Sequence, residues 1–100
     1  MRIQILDKRW TLRFVPNLAN YGECQAPGTA DKQIRILSTL RGKQRLTILI
    51  HELLHASNWH LDEQFVTQAA EDIASVLWRL GYRQCGYKAD EEPASDKPVA

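Results

Sequence analysis

Residues Thr47 to Ala56 read TILIHELLHA, and within them His51-Glu52-Leu53-Leu54-His55 forms the pattern HExxH. The neighbouring apolar residues Leu46, Leu49, Ile50, Leu53 and Leu54 fall at the i, i+3, i+4, i+7 spacing of a helix with one buried stripe, which predicts a helix from about Lys43 to Asn58. On such a helix, positions i and i+4 stand one turn apart on one face, so both imidazoles can reach a single metal ion at a separation held by the backbone. Zinc is the natural occupant. Glu52 follows the first histidine and projects beside such an ion, where it can take a proton from a water acidified by the metal; Glu52 is the expected general base. The stripe is expected to leave His51, Glu52 and His55 on one side of the helix, outside the deep core. Reading them instead as boundary histidines and a solvated carboxylate leaves the clustering of all three histidines, His51, His55 and His60, as coincidence.

Downstream, Asn58-Trp59-His60 breaks the pattern and Asp62 is a good N-cap. Phe65, Val66, Ala69, Ala70, Ile73, Val76, Leu77 and Leu80 then recur with helical spacing, their apolar stripe centred near Ile73 and Leu80. Arg79 complements the helix dipole, and Gly81 is placed to stop the helix in a left-handed conformation. Upstream, Ile3 and Ile5 alternate with polar residues before Asp7-Lys8-Arg9, and Trp10, Leu12 and Phe14 alternate after it, which predicts a β-hairpin. Residues 16–30 carry the asparagines, glycines and prolines of a loop that includes Cys24, and Lys32–Leu37 alternates again as a third strand, placed at the edge of the sheet. The expected fold is α+β: an N-terminal three-stranded, mainly antiparallel sheet, the HExxH helix, and a second helix antiparallel to it. Residues 1–87 are read as a single domain, and residues 88–100, nearly free of large apolar side chains, as a disordered tail.

Composition narrows the functional classes. A chain of 100 residues with 44% hydrophobic and 25% charged residues has material for one modest core. Thirteen Lys and Arg against twelve Asp and Glu give a formal charge of +1, so neither nucleic acid nor an anionic membrane is an expected partner. Asp7, Lys8 and Arg9 cut the first apolar run too short for an export signal, and the run around Leu46–Leu54 is too short and too polar to span a bilayer. A soluble protein with Cys24 and Cys85 reduced is the expectation. Trp10, Trp59 and Trp78 are read as core or boundary packing.

The run TILIHELLHA resembles the active-site helix of the zincin metallopeptidases. The succession of strands, HExxH helix and acidic second helix over residues 31–83 resembles the minigluzincins and small phage- or prophage-encoded relatives. The resemblance implies a small zincin-like fold and a zinc metallopeptidase, with His51 and His55 as metal ligands, Glu52 as catalytic base, and the strand containing Ile34 and Ile36 aligning an extended peptide or protein substrate. It also implies the cytoplasm of a phage-infected or lysogenic bacterium as the setting.

A catalytic zinc takes three protein ligands and keeps one open position. His60 lies five residues after His55, whereas metzincins place their third histidine six residues on, where Leu61 stands here, and Asn58 occupies their glycine position. Gluzincins take a carboxylate from the following helix, which offers Glu63, Glu71 and Asp72. Glu63 and Asp72 flank the expected stripe, while Glu71 lies nearly opposite it. Depth along antiparallel helices favours Asp72; reach and ligand type favour Glu63, which is chosen, with Asp72 as alternative or as a partner orienting a ligand histidine. Tyr21, Tyr82, Tyr87 and His60 are possible oxyanion donors, none singled out. Cys24 is read as a small buried loop residue in preference to an inhibitory thiolate on the metal. A rival function is a zinc-binding but non-hydrolytic or latent accessory protein, with His60 available to close the site.

Overall fold

A computed structural model describes residues 1–85 of the chain, so the expected domain end at residue 87 and the tail over 88–100 lie outside the described residues. Strands β1 (Arg2–Ile5) and β2 (Lys8–Val15) form the expected antiparallel hairpin, with Ile3 opposite Trp10 and Ile5 opposite Lys8. The sheet has four strands, not three. Gly22–Cys24, inside the expected loop, is a short strand β3, and β4 (Gln33–Leu37) lies between β2 and β3 in the order β1-β2-β4-β3. The pairing is mixed: β4 runs parallel to β2 and antiparallel to β3.

Burial explains why β4 sits inside the sheet and not at its edge. Ile34 and Ile36 are fully buried and join Trp10, Leu12 and Phe14 on the face packed by Ile48, Leu49, Leu53 and Ala56 of the first helix. The connection from β2 to β4 travels out to the far edge, forms β3 there and returns to pair beside β2, a length of chain that a parallel neighbour requires.

Helix α1 (Gly42–Ser57) and helix α2 (Glu63–Arg79) match the expected elements within a residue or two. Their buried faces differ from expectation. On α1 the residues under cover are Arg45, Glu52 and Ala56, while Leu46, Leu49, Ile50, Leu53 and Leu54 are half-buried. Arg45 is accommodated because its guanidinium lies 4.0 Å over the Phe14 ring and donates to Gln84 Oε1 (2.9 Å) and to the carbonyls of Ser38 and Leu40 (3.3 and 3.4 Å).

On α2 the buried residues are Val66, Ala70 and Ala74, whereas Phe65, Ile73, Val76 and Leu80 are 55%, 41%, 55% and 69% exposed. The stripe expected near Ile73 and Leu80 is therefore rotated by roughly a quarter turn or more. Small side chains let α2 approach α1 closely, and closeness, not side-chain size, selects the inner face.

Both ends of α2 are closed as expected. The Phe65 N–H donates to Asp62 Oδ2 at 3.1 Å, and at the other end Gly81 (φ +93°) turns the chain while its N–H donates to Trp78 O and that of Tyr82 to Leu77 O. Asp62→Ala is expected to cost about 1 kcal/mol, read as a lowered midpoint in urea with an unchanged slope. Cys24, half-buried, and Cys85, exposed, are free of any disulfide, and the Cys24 thiol donates to the Gln25 carbonyl at 3.5 Å. No helix among the described residues is long and apolar enough to cross a membrane.

Candidate metal centre

The C-terminal half of α1, the start of α2 and the edge strand β3 meet around a cavity of about 620 Å³ lined by Asn20, Tyr21, Gly22, Glu23, Cys24, Ile48, His51, Glu52, His55, Trp59 and Glu63. Helical spacing puts His51 and His55 on one face, with ring centroids 5.0 Å apart. Glu63, the first residue of α2, bridges them: Oε2 lies 3.1 Å from His51 Nε2, and Oε1 lies 2.9 Å from His55 Nε2. Together these three residues offer one ligand atom each, all within 4.8 Å of one another.

The rotation of α2 explains which carboxylate arrives. Glu63 precedes the buried Ala70 by seven residues, two helical turns, so it shares the face turned to α1. Asp72 is two residues past Ala70 and points away; it is exposed and accepts a hydrogen bond from Gln68 Nε2 at 3.1 Å. Glu71 is likewise exposed, and neither Glu71 nor His60 belongs to the cluster. The depth argument that favours Asp72 fails because the first turn of α2 itself lies against the histidines.

Glu52 differs from the ligand candidates. Expected outside the deep core, it is only 7% exposed, on the buried line of α1. Burial pushes its carboxyl up to about 7, and the charges of Glu63 and then Glu23 push in the same direction. Cys24 lines the same cavity and its thiol is pushed up to about 12, by burial first and by Glu52 second, so it is a neutral thiol at ordinary pH. Glu23 turns to Arg35 of β4, with which it forms an ion pair.

Three features escape a reading of the sequence. Trp59, expected as packing, borders the cavity with its ring edge-on to His55 at 6.4 Å. β3 is too short, at three residues, to show a period-two pattern. Gly22 stands where a Cβ would lie 2.8 Å from Ile48 Cγ2, 3.1 Å from Glu52 Cγ and 3.2 Å from Glu52 Oε2, so the bare backbone is what lets β3 approach the helix beside Glu52. Gly22→Ala is expected to destabilise the fold by about 1–3 kcal/mol and to displace Glu52, checked by thermal melts with and without zinc.

The strand-alignment role expected of the strand containing Ile34 and Ile36 is also corrected. β4 is paired on both sides, by β2 and by β3, and cannot accept another strand; β3 is the edge strand beside the cavity. Of the possible oxyanion donors, Tyr21 lines the cavity, His60 does not, Tyr82 lies beyond the C-terminal end of α2, and Tyr87 is outside the described residues. No known protein family matches the chain, and neither does any curated protein or solved structure.

Proposed function

We propose that this protein is a zinc-dependent peptidase of minimal size, with His51, His55 and Glu63 as metal ligands and Glu52 as general base. The observation that carries the proposal is the convergence of two imidazole nitrogens and a carboxylate next to a buried glutamate whose pKa is raised. The donor set suits zinc by its chemistry: two imidazole nitrogens and one carboxylate are the ligand types of a catalytic zinc site, and one atom from each already lies within 4.8 Å of the others.

A bound zinc ion would supply Lewis acidity, acidifying water and polarising a scissile carbonyl. The chain's own contribution is then proton handling and alignment. A carboxyl with a pKa near 7 in the metal-free site is held where it can both accept and release a proton. Cover from Gly22 and Ile48 keeps bulk water away from its stem. The open edge of β3 offers N–H and C=O groups to an extended peptide, which would add as a further strand along the cavity. The substrate class is therefore a peptide or an unfolded protein segment, and the cytoplasm, including that of a phage-infected or lysogenic bacterium, is the proposed setting.

The test is zinc content by mass spectrometry followed by casein turnover. One zinc per chain with turnover that Glu52→Gln abolishes supports the peptidase. Stoichiometric zinc without turnover favours the non-hydrolytic or latent accessory reading, and a folded chain that takes up no zinc overturns both.

A further inference from the structure

Phe65, Ile73 and Val76 of α2, and Leu80 at its C-cap, find no cover among the described residues. With the half-buried Ala69 they are spaced 4, 4, 3 and 4 residues apart, the period of a seam along which one helix meets another. The seam lies about 100° around α2 from the Val66–Ala70–Ala74 line that faces α1, and it extends about 22 Å along the axis. Single exposed apolar residues are ordinary, whereas a continuous row of this length marks an interaction surface.

We infer that two copies of the chain pair antiparallel along this seam. Antiparallel alignment sets Ile73 against the partner's Val76 and Ala69 against the partner's Leu80, so large side chains meet smaller ones. Parallel alignment would instead stack each residue on its own counterpart, bulk on bulk at Leu80 and a gap at Ala69.

Charge selects the same direction. Asp72 and Arg79 are seven residues apart and share the outer border of the seam. In the antiparallel pair Asp72 comes beside the partner's Arg79, and two-fold symmetry repeats the contact at the other end. No ion pair among the described residues engages Arg79, and both Asp72 and Arg79 are exposed. The opposite border of the seam is the packed face of the fold itself, and a symmetric contact of this kind closes at two copies instead of growing into a chain. Glu63 leaves α2 on a different side, so pairing leaves the cavity around His51, Glu52 and His55 open.

Sedimentation equilibrium of the full 100-residue chain, from low micromolar to about 1 mM, should show a species of twice the 11.5 kDa of one chain. Ile73→Glu is expected to raise the dimer Kd by more than about 100-fold, because it buries two like charges in the seam, while circular dichroism stays unchanged. Asp72→Arg and Arg79→Asp should each raise Kd by about tenfold, and the double variant should return to within about threefold of the original chain. A chain that stays monomeric throughout overturns the inference. So does a dimer indifferent to Ile73→Glu, or one that the charge reversals leave unaltered and the double variant does not restore.

Discussion

Glu52→Gln is expected to lower casein turnover by about 10²–10⁴-fold while leaving the zinc content at one per chain. The substitution keeps the shape and burial of the side chain and removes only its capacity to take a proton. Glu52 does not belong to the His51, His55 and Glu63 cluster, so metal uptake and proton transfer are separable at this position. A loss of zinc in Glu52→Gln would mean that the carboxylate holds the metal and does not act as base.

The same variant has an opposite effect on the metal-free fold. In the unfolded chain the Glu52 carboxyl ionises near its ordinary value of 4.5, whereas in the native protein burial and the neighbouring carboxylates hold it up to about 7. Between those values the native state carries the extra proton, so stability falls as pH rises from 4.5 through about 7 and the full penalty is present above that. In EDTA at pH 8, Glu52→Gln should therefore be more stable than the original chain by about 1–3 kcal/mol, and at pH 4 the gain should vanish. Urea melts at the two pH values measure it. An equal gain at both would assign the effect to packing instead of charge.

What the sequence discloses here follows the strength of local signals. The α1 helix, the i, i+4 histidines and the Asp62 cap are decided within one or two turns, and each is found where spacing places it. β3 is not legible, because Gly22–Cys24 owes its strand conformation to pairing with Ile34–Ile36 across the sheet and not to its own composition. The inner face of α2 is misread for a related reason. Counting large apolar residues points to Ile73 and Leu80, but Ala70 and Ala74 face α1 because they permit contact. That rotation turns Glu63 toward the histidines and Asp72 away from them, so the choice of carboxylate depends on helix packing, which residue spacing alone does not record.

Glu63→Ala is expected to weaken zinc binding by more than about 100-fold, beyond the 10–100-fold cost of removing a group that only orients a ligand. Asp72→Ala should bind as the original chain does. His55→Ala should abolish stoichiometric uptake, because the two imidazoles are the cluster's only nitrogen donors. Glu63 is well exposed, with 69% of its side chain open to solvent, so its removal leaves no cavity and should spare the fold. In the absence of metal the change even relieves Glu52 of one neighbouring charge. Thermal melts separate these roles, since a ligand that binds only the native state raises the melting temperature with its concentration. The original chain and Asp72→Ala should gain the same shift on adding zinc, Glu63→Ala a much smaller one and His55→Ala none. Equal zinc shifts in Glu63→Ala and the original chain would remove Glu63 from the ligand set and leave its contacts to His51 and His55 as a feature of the metal-free protein alone.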